Sequence, residues 1–482
     1  MTGSAEKPLE RPPAAGLARL AGRLGRFSRG RLNRFSCPGT CVRVHVCLSC
    51  RTRTLLYYAY DNIIVCRTFV DRDREFAFLD ERFSTGERQL LVLYGRRRVG
   101  KTALVTRFLE RQSREYVYFL ADQRGTTANA KRFAERCANA FDDVPPAVEG
   151  FDDVFEYVVR RTDEELIVVI DEFSYLVEED EAIPSVFQRI HDSILAESHI
   201  SVVLLGSSIS MMEKGALSHE SPLYGRRTGQ WKLAPMRFVD ACEFFPSYSL
   251  EELIRVYAVL GGVPAYLEQF DPERSIAENV RTSVVSKGTF LYEEPEFFLR
   301  QELREPATYM AILEAMAAGN TRVTDIANAA DRDAKGMSRY LQNLQRLEAI
   351  DRLVPVTEPT RKQGIYAIDD HFFEFWFRFV YPNRSDIERG NTNAVTESIL
   401  SDLNEHVSHV FEDVCRQAVQ QPDFPVTVSR TGTWWYGEEE IDVVAVSEEA
   451  ERLLVGECKW TSAPVGEGLL SDLEAKTPSV RW

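Results

Sequence analysis

The chain has 482 residues, of which 44% are hydrophobic and 27% charged, enough for about three globular domains with proper cores. No run approaches the roughly 18–20 apolar residues that a membrane span needs, and the first residues lack the apolar stretch of a secretory signal. The nine cysteines form no dense framework, which is typical of a reducing cytosol. We therefore expect a cytoplasmic protein without membrane contact.

The charge of the chain is unevenly distributed. The first 68 residues hold 12 Lys and Arg against 3 Asp and Glu, which leaves 46 against 71 and a net charge of −25 for the rest. Arginine outnumbers lysine by 48 to 10. An acidic, arginine-rich body with few lysines is similar in composition to proteins of salt-loving archaea, whose cytoplasm screens self-repulsion.

Residues 1–68 show no hydrophobic pattern, and we expect them to lie outside the fold. They would be either a disordered extension or sequence translated from a start codon placed too early. Cys37, Cys41, Cys47 and Cys50 offer four thiolates, so a zinc site is the alternative. A structural zinc site usually has two tight pairs separated by a longer loop, which this spacing does not show.

The stretch "LYGRRRVGKTALVTRFLE", residues 93–110, contains G-x-x-x-x-G-K-T directly after an apolar run. This is the pattern of a phosphate-binding P-loop, in which glycines permit a tight turn and backbone N–H groups face phosphate oxygens. The run before it predicts a buried strand, and the residues after it predict a helix whose N-terminal dipole favours phosphate. We predict that ATP is bound by Gly95, Arg96, Arg97, Arg98, Val99, Gly100, Lys101, Thr102 and Ala103.

Within this loop, Lys101 would reach the β- and γ-phosphates, and the Thr102 hydroxyl would hold Mg²⁺. Strands and helices alternate beyond it, which predicts a parallel α/β sheet. The predicted strands are 116–122, 166–171 and 200–206, and the predicted helices lie near 127–141, 150–161 and 182–197.

The strand 166–171 ends in an acidic pair. Asp171 would hold Mg²⁺, and Glu172 would orient or deprotonate the attacking water. The alternative is that the pair only caps the following helix. A second acidic residue after the metal-binding one is more typical of hydrolysing ATPases than of kinases or small GTPases.

Two further candidates follow the next strand. Ser207 or Ser208 could contact the γ-phosphate or the attacking water, although serines at this place are often turn residues. Arg226, ahead of Arg227, could stabilise charge in the transition state. A surface arginine paired with the acidic body is the other interpretation.

Residues 250–300 are helical in pattern and are expected to form a lid over the nucleotide. Residues 305–380 show three helical segments and a hairpin, which predicts a winged helix-turn-helix, with Thr324 and Asp333 as helix caps. A packing or regulatory module is the alternative to DNA binding. The side chains predicted to face DNA are Lys335, Ser338, Arg339, Gln342 and Arg346, with Arg361 and Lys362 on the wing.

The last segment carries a second set of candidate residues. Glu457 and Lys459 share one face of a strand, and Asp442 joins them if the two strands 438–446 and 452–460 pair. Two carboxylates and a lysine can bind Mg²⁺ and activate a hydroxide against a phosphodiester, with Glu412 completing the metal set. A surface ladder of ion pairs would also explain the pattern.

The stretches "FVDRDRE", "LYGRRRVGKT", "VVIDEFSYL", "LYGRRTG" and "GGVPAYL" resemble the archaeal ATPase family, P-loop proteins of the STAND/AAA-like group. The resemblance extends through the winged helix to a C-terminal domain of the PD-(D/E)XK nuclease-like type, matched by "EIDVVAV" and "GECKW". It covers about residues 69–482. The family domain normally continues through another strand and helix, so we expect the nuclease-like domain to be incomplete.

The resemblance implies an α/β fold with a parallel sheet of strand order 5-1-4-3-2. The expected domains are an ATPase domain, a helical lid or linker, a winged helix and the nuclease-like domain, at residues 69–265, 266–304, 305–385 and 393–482. One function class is an ATP- and Mg²⁺-dependent switch acting on nucleic acid, with DNA as a candidate partner and a homo-oligomer left open. The other is a regulatory NTPase whose C-terminal half makes only protein contacts, which the net charge of −25 favours because phosphate binding is electrostatic.

Overall fold

The computed structural model describes residues 44–48, 54–58, 70–357 and 364–482. The first two ranges are the antiparallel strands β1 (Val44–Leu48) and β2 (Thr54–Tyr58). Strand β1 also pairs with a strand near the C-terminus, Arg452–Glu457. The prediction that all of residues 1–68 lie outside the fold is therefore wrong for these two strands. The four cysteines of the zinc alternative fall outside the described side chains.

A five-stranded sheet carries the P-loop, and all its strands are parallel. The strands are β3 (Leu90–Tyr94), β4 (Glu115–Leu120), β5 (Leu166–Asp171), β6 (Ile200–Gly206) and β7 (Gly229–Lys232). Their order is β4-β5-β6-β3-β7, so the predicted order 5-1-4-3-2 is confirmed. The helices around this sheet are α1 (Asp73–Ser84), α2 (Lys101–Glu110), α3 (Thr126–Ala140), α4 (Phe151–Arg161), α5 (Phe173–Glu179), α6 (Ile183–Arg189) and α7 (Ile209–Met212).

Both faces of the parallel sheet are buried. Successive side chains of a strand point to opposite sides, so each strand contributes to two cores. On β5, Ile167 and Val169 pack in the core that contains Phe108 of α2. Val168 and Ile170 pack in the core on the other face. Because β3 and β5 each pair in parallel with β6, their carboxyl ends emerge at the same edge of the sheet. This brings the P-loop and the acidic pair together.

The segment after the sheet is helical, as the pattern predicted. Several of its helices are short and continue into π-helical or 3₁₀ turns. They are α8 (Phe238–Ala241), α9 (Leu250–Leu260), α10 (Pro264–Leu267), α11 (Ile276–Asn279) and α12 (Phe290–Glu302).

Three helices and an antiparallel strand pair follow, in the predicted order. They are α13 (Pro306–Ala317), α14 (Val323–Ala329), α15 (Ala334–Arg346), β8 (Ile350–Leu353) and β9 (Ile365–Ile368). Asp333 caps α15 by accepting a hydrogen bond from the Lys335 N–H at 2.9 Å, as predicted. Thr324 is not a cap, because α14 already begins at Val323. Arg361 and Lys362 lie outside the described residues.

The C-terminal segment consists of helices and three antiparallel strands, which form one sheet with β1 and β2. A single hydrophobic core runs from Met236 to Cys458, and so joins the helices after the parallel sheet with this last segment. Among the described helices, none is both long and apolar enough to cross a membrane. The elements are α16 (His371–Phe375), α17 (Arg384–Glu388), α18 (Thr392–Val419), β10 (Arg430–Tyr436), β11 (Glu439–Ser447), β12 (Arg452–Glu457) and α19 (Glu467–Lys476).

Candidate nucleotide site

Two glycines shape the turn between β3 and α2. A Cβ at Gly95 would lie 2.3 Å from the carbonyl oxygen of Leu233, so only glycine lets the chain pass the end of β7. Gly100, at the start of α2, has a φ of +93°, in the left-handed region that glycine tolerates best. The turn is held from outside by buried Arg72, whose guanidinium donates to the carbonyl oxygen of Val99 at 2.8 Å.

Lys101 lies inside this turn and is almost completely buried. Its Nζ donates to the carbonyl oxygens of Gly95 and Arg96, both at 2.9 Å. Burial lowers the pKa of Lys101 to about 8, although the nearby carboxylates Glu172 and Asp171 act in the opposite direction. An ammonium group has three donors, so one remains for a phosphate oxygen.

Thr102 and Asp171 are in direct contact, as the motif spacing predicts. The Thr102 hydroxyl donates to Asp171 Oδ2 at 2.8 Å. The Tyr118 hydroxyl, on the neighbouring strand β4, donates to the same oxygen, and burial followed by the Asp171 charge raises the pKa of Tyr118. The Glu172 N–H donates to Asp171 Oδ1 at 2.8 Å. Both oxygens of this buried carboxylate are therefore held in place.

Glu172 has a φ of +55°, an uncommon conformation for a residue with a side chain. Its Oε1 accepts a hydrogen bond from the Ser207 hydroxyl at 2.7 Å, and its Oε2 accepts one from Ser174 at 3.4 Å. The structure thus brings Ser207 to the candidate site by way of Glu172. The Ser207 hydroxyl holds the Glu172 carboxylate, which is the group predicted to activate water.

The three arginines of the P-loop point away from its interior. Arg96 pairs with buried Asp370 at the start of α16. Arg97 pairs with Glu302 at 2.8 Å, and Arg98 pairs with Glu294; both carboxylates are on α12. If these residues contact phosphate, they do so through their main chain, because their guanidinium groups are already engaged.

Tyr266 belongs to the same network and was not singled out by its sequence pattern. It lies on α10, and its hydroxyl donates to Glu294 Oε1 at 3.0 Å. Arg96 Nη2 donates to the Tyr266 oxygen at 3.3 Å. The stretch "GGVPAYL" therefore supplies a side chain that links the P-loop to the helices after the sheet.

Arg226 lies at the opposite edge of the sheet. Its Nε donates to both carboxylate oxygens of Asp192, at 2.9 and 2.7 Å, and Asp192 also interacts with Arg88, just before β3. Strand β7 begins after Arg226 and pairs in parallel with β3 from Leu91 onward. Arg226 therefore precedes the amino end of these strands, whereas the P-loop follows the carboxyl end. The prediction that Arg226 faces the γ-phosphate of its own chain is wrong, and Arg227 is likewise bound elsewhere, to main-chain carbonyls.

A second group of charged side chains lies on the C-terminal sheet. The register of β11 and β12 places Asp442 and Glu457 side by side, just beyond the last paired residues. Lys459 Nζ donates to Glu457 Oε1 at 3.3 Å. Burial, followed by the Asp442 charge, raises the pKa of Glu412 to about 8, and burial also raises the pKa of Asp442.

These residues are close together, but their metal role stays a prediction. Within residues 70–357 and 364–482, no three His, Cys, Asp or Glu side chains are placed to hold a metal ion. The trio Glu412, Asp442 and Glu457 is thus not assembled as a metal site in this structure.

The five-stranded parallel sheet with a P-loop after β3 and an acidic pair after β5 defines a P-loop ATPase domain. Residues 69–270 match the family described as an ATPase domain predominantly from Archaea, and residues 376–476 match one described as Archaea bacterial proteins of unknown function. An uncharacterized protein of Methanocaldococcus jannaschii is 36% identical over 397 residues, which cover 81% of this chain and 87% of that protein. The chain belongs to the archaeal ATPase family.

Two solved structures are similar at lower identity. The Walker-type ATPase of Pyrococcus abyssi is 22% identical, with a TM-score of 0.46, over 66% of this chain and 99% of its own. The ORC2 protein of Aeropyrum pernix is 13% identical, with a TM-score of 0.44, over 69% of this chain and 96% of its own.

Proposed function

We propose that this protein hydrolyses ATP and uses the reaction as a conformational switch. The observation that carries the proposal is the chain of hydrogen bonds Thr102–Asp171–Glu172–Ser207, next to a lysine held inside the P-loop. In this assignment Lys101 binds the β- and γ-phosphates. Glu172 accepts the proton of the attacking water, and Ser207 keeps that carboxylate in position.

The donor set at the P-loop suits Mg²⁺. Thr102 and Asp171 offer a hydroxyl and a carboxylate oxygen that already touch each other, and Mg²⁺ prefers such oxygen ligands. When bound, Mg²⁺ would neutralise the charge of the phosphates.

The role of the C-terminal half belongs to the same proposal. Helices α13 to α15 and the strand pair β8–β9 are consistent with a winged helix. The Asp442, Glu457 and Lys459 group is consistent with a nuclease-like module of weak or no activity. The alternative is that this half makes only protein contacts, as in a regulatory NTPase. We place the reaction in the cytoplasm because the cysteines are scattered.

Replacing Lys101 tests the nucleotide site. Lys101→Ala should abolish tight ATP binding in calorimetry, because it removes the lysine aimed at the β- and γ-phosphates. Lys214→Ala, which removes an exposed lysine paired with Glu181, is the control and should bind ATP like the wild type. Equal ATP affinity of Lys101→Ala and the wild type would refute the assignment.

A further inference from the structure

A cleft of about 290 Å³ lies between the carboxyl edge of the parallel sheet and helix α15. The sheet side is lined by Ser174, Tyr175 and Ser208. Three arginines line the other side: Arg339 and Arg346 of α15, and Arg304 just after α12. Two of the side chains predicted to face DNA, those of Arg339 and Arg346, therefore face the ATPase domain.

The three arginines have no partner within the described part of the chain. Arg304, Arg339 and Arg346 make no hydrogen bond or ion pair there, although most arginines around the P-loop are paired with carboxylates. Arg97, also on this cleft, shows the contrast: it is bound to Glu302, Gln301 and the Tyr175 hydroxyl. Free guanidinium forks match the oxygens of phosphate and suit a phosphate-bearing ligand.

The carboxylates on the cleft offset part of this charge but not all of it. Glu302 is paired with Arg97, and Glu305 accepts a hydrogen bond from Tyr340 at 2.7 Å. Glu178 is exposed at the rim. With four arginines against three carboxylates on its lining, the cleft keeps an excess of one cationic group, in a chain that is otherwise acidic.

The cleft opens directly beside the acidic pair. Ser174, on its wall, donates to Glu172, and Ser208, also on its wall, follows the Ser207 that donates to Glu172. The wall of the cleft is therefore one hydrogen bond away from the Glu172 carboxylate.

We infer that this cleft is a second phosphate site, in which Arg339 and Arg346 bind a phosphate next to Glu172. The inference rests on the proposed function. The phosphate has two sources of the same chemistry, the terminal phosphate of bound ATP and the inorganic phosphate left after hydrolysis. In either case α15 is drawn toward the sheet when phosphate is present. The position of the helices after the sheet then depends on which nucleotide is bound.

The test is the double variant Arg339→Gln/Arg346→Gln in the full chain. The matched control is Arg322→Gln/Lys335→Gln, which removes two positive charges from exposed positions that do not line the cleft. Calorimetry measures ADP, a non-hydrolysable ATP analogue, and inorganic phosphate with and without saturating ADP. Unchanged ADP affinity shows that the variant is folded and that its P-loop is intact.

If the terminal phosphate is the ligand, the double variant loses tenfold or more in affinity for the ATP analogue. If released phosphate is the ligand, it loses tenfold or more in affinity for inorganic phosphate. Unchanged affinity for both in the double variant, or an equal loss in the control, would overturn the inference and leave the proposed function standing.

A wild type that binds no nucleotide would refute the proposed function. Titration of the nucleotide-free chain with inorganic phosphate would then still test whether the cleft binds phosphate. A single-stranded oligonucleotide that binds the wild type but not the double variant, with phosphate binding unaffected, would identify the cleft as a nucleic-acid site and contradict the inference.

Discussion

At the scale of single residues, the P-loop is attached to distant helices by its own arginines. Arg96 is buried beside Asp370, and its guanidinium also lies over the rings of Phe298 and Phe373, at 5.2 and 5.5 Å. Burial by itself would lower the pKa of Arg96, but the charge and hydrogen bond of Asp370, together with Tyr266 and Glu348, raise it above its usual value. Arg96 therefore stays charged inside the protein, and Asp370 is the carboxylate that pairs with it.

Arg96→Ala should strongly destabilise the protein, because it leaves Asp370 buried without its counter-charge. Breaking a buried ion pair in this way costs about 3–5 kcal/mol. Arg107→Ala is the control, since its pair with Glu110 is about half exposed and such pairs contribute about 0–1 kcal/mol. Denaturant unfolding of both variants measures the difference.

Asp370→Asn completes the comparison with Arg96, because asparagine keeps the helix cap but removes the charge. The loss of unfolding free energy in the double variant Arg96→Ala/Asp370→Asn should be smaller than the sum of the losses in the two single variants. Strictly additive effects would show that the two side chains do not act as a pair.

The residues predicted to bind phosphate, Mg²⁺ and water could be identified because their sequence patterns are local. Lys101 and Thr102 follow from the spacing of one loop, and the acidic pair follows from its place at a strand end. Tyr118 and Tyr266 could not be predicted, since their hydroxyls act on residues far along the chain. The place of Arg226 at the amino end of the strands could not be predicted, because sequence order does not show which end of the sheet a side chain occupies.

At the scale of elements, α16 and α18 are joined by a partly buried ion pair. His371 Nε2 lies 3.3 Å from Asp413 Oδ2. Burial would lower the pKa of His371, but the hydrogen bond and charge of Asp413 outweigh burial and raise it, with smaller contributions from Glu374 and Asp369. The contact between the two helices is therefore strongest when His371 carries its proton.

This pair predicts a dependence of stability on pH. The unfolded chain loses the His371 proton near the ordinary pKa of 6.5, whereas the folded chain retains it. The contribution is therefore complete below 6.5 and is lost as the pH rises through the raised pKa. Between pH 6 and 8.5, the unfolding free energy of the wild type should fall relative to that of His371→Gln. Parallel stability curves would contradict the ion pair.

Strands with continuous apolar runs were predicted well. The strands 166–171 and 200–206 match their predicted ranges, because runs buried on both faces are hard to mistake in a parallel sheet. The helix predicted at 182–197 is shorter, since it passes into a π-helical turn that ends at Ile194. Hydrophobic spacing does not report such a change in helix type.

At the scale of the whole molecule, the two ends of the chain share one sheet. Strand β1 pairs with β12 in a register that joins His45 to Glu457 and Cys47 to Val455. Sequence patterning could not predict this contact, because it depends on main-chain hydrogen bonds between residues about 400 positions apart.

Deleting residues 1–68 should therefore lower the melting temperature, because it leaves the edge of β12 unpaired. We expect a fall of at least about 3 °C, the shift that about 1 kcal/mol produces in a domain of 150–250 residues. Deleting only residues 1–41, which keeps both strands, is the control. Equal melting temperatures of the two deletions would show that β1 and β2 contribute nothing to stability.

The central claim is that the acidic pair after β5 makes this P-loop hydrolyse ATP. Glu172→Gln, assayed in a single turnover with Mg²⁺, tests it most directly, because glutamine keeps the shape of the side chain but cannot accept a proton from water. We predict ATP affinity close to that of the wild type and hydrolysis slowed by about 10²–10⁴, the usual contribution of a general base. Turnover within about tenfold of the wild type would contradict this claim, and Glu172 would then be only the N-cap residue of α5.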